Sequence, residues 1–411
     1  MIKISQQFAP PFRLIAPFFI SALVVYIFSA LLMFGFDANA IFTKDLGVLA
    51  FVHLFLLGFV MMAIFGAMAQ LIPVVLEVEH FAVELYYVVY PLLLIGTFLM
   101  VNGFYFYPVL LSFGGLVAFI AFGIFMFETF ATLSKVKKLN FVSTTVLVAN
   151  IFLLFGIIVG FIMALGYGGF VSVNLDALLK VHVFSVLFGY VGFTVMGLSY
   201  ILIPMFWLSH SFDTRYLKIA LWSLAIAIIS VFVGEIFDVG ILSQIAEILL
   251  FVSFGFYFYE LFLIYKTRAR IQKDIYYYYM VYFSFGFGAS LVCAVGYYIT
   301  KNDTILVLFG FSVMFGMIAP MILGHLYKIV PFLVWFERFS PLVGKQKVPM
   351  LADMIPVQSA NLTLIFNILG FVCIFVSLMF GLDKIFGGGV SFLVFSAVFL
   401  LKDILYMVRF R

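Results

Sequence analysis

Residues 58–73 read GFVMMAIFGAMAQLIP, and the pattern returns as GYVGFTVMGLSYILIP at 189–204 and GMIAPMILGHLYKIVP at 316–331. Each copy has a Gly, seven residues, a second Gly, then six residues ending on Ile or Val before a Pro. The three sets are Gly58/Gly66/Pro73, Gly189/Gly197/Pro204 and Gly316/Gly324/Pro331, at offsets of 131 and 127 residues. Self-similarity at a near-constant period marks a repeated structural unit.

Around these copies the chain is almost wholly apolar. Of its 411 residues, 66% are hydrophobic and only 10% charged. That balance excludes a soluble globular enzyme, a disordered chain and a nucleic-acid binder, and it leaves the lipid bilayer as the main partner. Cys293 and Cys373 lie in separate apolar segments and read as small core residues.

Stretches long enough to cross a bilayer predict twelve helices. They fall at roughly 13–35, 46–75, 84–102, 106–133, 142–166, 177–207, 216–237, 240–265, 276–299, 304–335, 356–380 and 388–408. The repeated motif therefore sits in helices 2, 6 and 10, the longest of the set. Four spans per repeat return the chain to the same side, so the units are parallel rather than inverted. The expected fold is an all-α polytopic membrane protein: one transmembrane domain over 1–411, with pseudo-repeats 1–140, 141–273 and 274–411. Three parallel units most simply form a ring. The motif glycines read as close-packing positions, and the terminal Pro as a helix stop or kink.

The N-terminus, the even-numbered loops and the C-terminus hold 18 of the 22 Lys and Arg residues. By the positive-inside rule both termini are cytoplasmic, and the expected setting is a bacterial cytoplasmic membrane. Ala38-Asn39-Ala40 resembles a signal-peptide cleavage site. The first apolar stretch is too long for a signal peptide, and removing it would break the repeat.

Five histidines remain as candidates for chemistry. His80 and His210 fall in loops and read as surface residues. His53 and His182 lie 20 and 22 residues before their prolines, in the outer third of helices 2 and 6. Ionisable groups at that depth are functional candidates, and imidazole is the commonest metal ligand. His325 lies six residues before Pro331, with Lys328 one turn away, and reads as interfacial or structural. Glu128, Glu260 and Asp403 recur near the ends of helices 4, 8 and 12, each followed six or seven residues later by Lys or Arg. Glu247, with Gln244 one turn before it, reads as a further buried proton or cation site. Glu77, Glu79 and Glu84 read as a solvated acidic patch, and Tyr276 to Tyr279 as part of an interfacial aromatic belt.

His53-Leu-Phe-Leu-Leu-Gly58, followed by Gly66 and Pro73, resembles the second-helix motif of the haem–copper membrane proteins and is most similar to the NnrS-type pattern. Twelve helices in four-helix pseudo-threefold repeats also resemble subunit I of the haem–copper oxidases. The resemblance implies haem b, with copper as a second metal. His53 would be the haem ligand, and His182 would be at the copper or a second ligating position. If His53 faces helix 10, Met314 or Met317 would offer a thioether at a comparable depth, giving His/Met ligation; this reading also calls for an extracytoplasmic redox partner. The expected roles are electron transfer, sensing or metal handling. Helix 7 carries no histidine and helix 10 no His-x-His, so a membrane oxidoreductase of this pattern would lack the oxygen-reducing centre. A second reading is a transporter or channel for a small solute or ion, with His53, His182 and Glu247 in the pathway. A third is a scaffold that kept the fold without cofactors.

Overall fold

A computed structural model describes residues 8–41, 43–210 and 213–411. Lys3, one of the basic residues used to orient the chain, lies outside these. Among the described residues there are twelve helices long and apolar enough to span a membrane: α1 Phe12–Gly35, α2 Leu46–Leu76, α3 Leu85–Tyr105, α4 Val109–Leu133, α5 Phe141–Tyr167, α6 Leu175–Trp207, α7 Arg215–Ile236, α8 Gly240–Lys266, α9 Ile275–Thr300, α10 Asp303–Arg338, α11 Val357–Phe380 and α12 Asp383–Arg409. α2, α6 and α10 have 31, 33 and 36 residues, against 27 or fewer for the others. Large apolar side chains stand exposed on several helices, among them Phe285 at 74% and Trp222 at 71%. Lipid, not water, suits such a surface.

The helix starts repeat as well. α2, α6 and α10 open on Asp45, Asn174 and Asn302, whose side chains accept backbone N–H groups of the first turn. Asn140 and Asp274 do the same for α5 and α9. In a membrane these caps satisfy donors that have no partner within the helix. In the α1–α2 connection, Ala38 N–H and the Asn39 side-chain amide donate to Asp383. The Asn39 backbone amide and then the Asp383 carboxyl hold Asp37 below the usual carboxylate range.

Two compact units make up the chain. One contains Ala69–Gln272 with Phe8 and Ala9, and the other Pro10–Met68 with Lys273–Arg411. Within them the motif glycines meet equivalent neighbours. A Cβ on Gly66 would stand 2.8 Å from Phe18 Cβ of α1, on Gly197 2.9 Å from Thr145 Cβ of α5, and on Gly324 2.8 Å from Tyr279 Cβ of α9. Real Cβ atoms do not approach so closely, so only glycine lets each long helix lie against the first helix of its own repeat.

Two features of the long helices differ from expectation. The motif prolines do not stop them: α2 and α6 run three residues beyond Pro73 and Pro204, and α10 seven beyond Pro331. Each helix also contains a π-helical segment in its middle, at Leu54–Met61, Phe184–Gly192 and Ser312–Ile318. Their first residues match within one position under the offsets of the repeat. Such segments accommodate an extra residue per turn and often mark functional regions.

Replacing Gly66, Gly197 or Gly324 with Leu is expected to destabilise the protein by about 1–3 kcal/mol each through overpacking. Gly255→Leu and Gly288→Leu, where a Cβ meets open space, should have little effect. Thermal denaturation in detergent compares the two groups.

Candidate functional site

The three histidines on the long helices share one hydrogen-bond pattern. His53 Nδ1 is 2.7 Å from Leu49 O, His182 Nδ1 2.9 Å from Gly156 O, and His325 Nδ1 2.7 Å from Met321 O. A carbonyl only accepts, so Nδ1 carries the proton, and in the neutral imidazole Nε2 carries the lone pair. His182 lies against α5: a Cβ on Gly160 would stand 2.6 Å from its Cε1. The ring fits there because Gly160 has no side chain.

His53 does not turn towards α10. Its neighbours Phe51 and Phe55 both pack on Phe315 of α10, at ring separations of 6.2 and 5.0 Å. Residues two apart on a helix point in nearly opposite directions, about 200° around the axis. His53 therefore faces away from α10, and Met314 and Met317, which are buried, are not brought to it. The space between α1, α2, α10 and α11 is filled by aromatic side chains. Tyr26 stacks on Phe59 at 4.5 Å, Phe311 on Phe315 at 5.1 Å and Phe311 on Phe371 at 5.4 Å. Tyr26, Phe55, Phe59 and Phe315 have no exposed surface. These residues do not fit a haem ligated by His53 and a helix-10 methionine. Among the described residues no group of three or more His, Cys, Asp or Glu is placed to hold a metal ion.

At the repeat-related ends of α4, α8 and α12, the acids are buried: Glu128 and Glu260 are 1% exposed and Asp403 0%. Their partners differ. The His80 side chain, expected at the surface, is only 5% exposed. Proline at 73 has no N–H to offer the carbonyl four residues back, and that carbonyl, Ala69 O, accepts His80 Nε2–H at 2.7 Å. His80 Nδ1 then lies 2.8 Å from Glu128 Oε1, which also accepts the Thr132 hydroxyl at 2.7 Å and the Phe81 amide at 3.2 Å. His80 and Glu128 thus form a buried pair in salt-bridge geometry, in which Oε1 gathers three hydrogen-bond partners and Oε2, among the described residues, has none. Asp403 accepts the Tyr327 hydroxyl at 2.7 Å and the Thr363 hydroxyl at 3.4 Å, with Lys402 Nζ 3.5 Å away. Among the described residues Glu260 has no hydrogen-bond partner on either oxygen.

Along α6, polar groups follow one another through an apolar span. Lys180 pairs with Glu235 of α7 at 3.0 Å, and Ser243 of α8 donates to the same carboxylate at 2.8 Å. His182 comes next, then buried Ser185, Tyr190, Thr194 and Ser199. The Ser199 hydroxyl is 2.7 Å from Tyr257 Oη of α8. The Tyr190 and Thr194 hydroxyls, one turn apart, are buried within reach of one another.

The remaining candidates divide. Lys328 pairs with Asp274, the cap of α9, and lies over the Tyr276 ring, against which His325 packs edge-on at 5.2 Å. This ties α10 to the start of α9, in keeping with a structural role for both. Tyr276 and Tyr279 are fully buried instead of forming an interfacial belt, because α9 turns them onto α10; Tyr278 alone of the four is exposed. Glu247 is half-buried and Gln244 exposed, so this pair is not a buried site. His210, Glu77, Glu79 and Glu84 are exposed, as their loop positions suggest. Comparison with protein-family models and with curated proteins finds no match.

Removing one partner of a buried ion pair leaves an uncompensated charge, so Glu128→Gln or His80→Ala should lower stability by about 3 kcal/mol or more. A double apolar replacement, His80→Phe with Glu128→Leu, should recover much of that loss. Denaturation midpoints in detergent measure both, and neutral single variants would contradict the ion pair.

Proposed function

We propose that this protein is an ion transporter that moves protons, or a small solute coupled to them, along α6. The observation that carries the reading is the polar succession Lys180–Glu235, His182, Ser185, Tyr190, Thr194, Ser199–Tyr257. From residue 180 to 199 a helix rises about 28 Å, close to the ~30 Å hydrocarbon thickness of a bilayer. Polar and ionisable groups inside a membrane are costly and mark pathways for ions and protons. Hydroxyls and a neutral imidazole both donate and accept, as a proton relay requires. In this reading the positive-inside bias sets both termini in the cytoplasm of a bacterial cell, with His182 nearer the outer face. Glu247, half-buried beside the α8 face that meets α6, borders the pathway.

A second reading has one specific observation in its favour. His53 and His182 each direct Nδ1–H to a carbonyl, the arrangement that orients imidazoles whose Nε2 binds a metal. One imidazole would then hold haem b or copper near an extracytoplasmic redox partner, without the helix-10 methionines.

The two readings separate in one preparation. Purified protein from haem-replete cells is expected to be colourless and metal-free. In vesicles carrying a trapped pH dye and an imposed membrane potential, it should conduct protons. His182→Ala and Tyr190→Phe should slow that flux by about tenfold or more, a barrier increase of at least ~1.4 kcal/mol. Flux equal to that of protein-free vesicles would overturn the transport reading. A Soret band lost in His53→Ala or His182→Ala would establish the other.

A further inference from the structure

The three acids at the ends of α4, α8 and α12 occupy related places, yet their partners form a graded series. Glu128 has the His80 ring at 2.8 Å, with the Thr132 hydroxyl and the Phe81 amide on the same oxygen. Asp403 has two hydroxyl donors and a lysine at its edge. Glu260 is 1% exposed, and among the described residues neither oxygen has a hydrogen-bond partner. His210, which follows Pro204 at nearly the spacing at which His80 follows Pro73, is exposed.

The direction of Glu260 follows from its helix. Ser253 and Tyr257 of α8 meet Met196 and Ser199 of α6. Glu260 comes three residues after Tyr257 and shares that face. Beyond Ser199 this part of α6 presents buried Leu202 and Ile203, which offer no side-chain donor. Within electrostatic reach of Glu260 lies Asp213, just before α7, another acid. An unpaired carboxylate buried in these surroundings would lack compensation of any kind, and such a group neutralises instead.

We propose that Glu260 is an exchangeable proton site: a buried carboxyl that takes up a proton for want of another partner, loaded from the end of α8 at which Asp213 lies. Its ligand is the proton rather than a metal cation, because a buried cation needs several oxygen ligands and the α6 face opposite Glu260 supplies none from its side chains. The site deepens the proton-handling reading and places an acceptor beyond Ser199 and Tyr257, on the same face of α8.

Two measurements on the full chain in detergent test this without requiring transport, so its failure is distinguishable from failure of the transport reading. The first is modification by the apolar reagent dicyclohexylcarbodiimide, which reacts with protonated carboxyls, followed by peptide mass spectrometry. Glu260 should be modified several-fold faster than Glu128, more slowly as pH rises, and equally fast with excess sodium or in His210→Ala. The second is stability. Glu260→Gln replaces one neutral group by another and should leave the denaturation midpoint almost unchanged, whereas Glu128→Gln lowers it. An unmodified Glu260, equal modification of Glu128, or a large loss of stability in Glu260→Gln would each overturn the proposal. Protection by sodium would also overturn it, in favour of a cation site.

Discussion

Close approach of backbones at three glycines is the constraint on which the rest of the fold depends. Lipid gives helices no hydrophobic reason to associate, so tight packing has to come from shape. At Gly66, Gly197 and Gly324 a Cβ would stand within 2.9 Å of a Cβ on the first helix of the same repeat. That contact sets the separation and rotation of each pair. It also fixes which face of α2 and α10 meets its neighbours, and so which side chains turn inward. The aromatic packing of Phe51, Phe55 and Phe315, and with it the outward turn of His53, follows from this rotation.

A second constraint operates on the few polar groups. Without water in the bilayer core each must find a partner in the protein, and the motif prolines change the supply of acceptors. Pro73 leaves the Ala69 carbonyl without its helical donor, His80 takes that place, and its other ring nitrogen meets Glu128. Tyr327, at the position in α10 that corresponds to Ala69, instead donates its hydroxyl to Asp403. One backbone defect, repeated by sequence, thus lies beside two different treatments of a buried acid. Around Glu260, where neither appears, the remaining partner is the proton.

Much of the architecture was legible in the sequence. The spans follow from uninterrupted apolar runs, and the repeat from glycines and prolines at constant offsets; both are local in the chain. The site was less legible, because it depends on distant pairings. His80 looks like a loop residue since its partner Glu128 is 48 positions away and the carbonyl that holds it is freed by a proline. His53 was readable as an ionisable group at depth, but its direction requires knowing which face of α2 meets α10. Glu260 was visible as a repeated acid, whereas its lack of a partner could only be seen once the face of α8 was placed. The π-helical segments have no sequence signature beyond the motif itself.

One close contact between helices is built three times. Cysteine pairs test it most directly, in a background with Cys293 and Cys373 replaced. The pairs are Phe18→Cys with Gly66→Cys, Thr145→Cys with Gly197→Cys, and Tyr279→Cys with Gly324→Cys. Small relaxation brings each to the ~3.8 Å Cβ separation of a disulfide, so mild oxidation should crosslink all three, while the mismatched pair Thr145→Cys with Gly189→Cys stays reduced. Crosslinking in one or two repeats only, or in the mismatched pair, would show that the contact is not repeated.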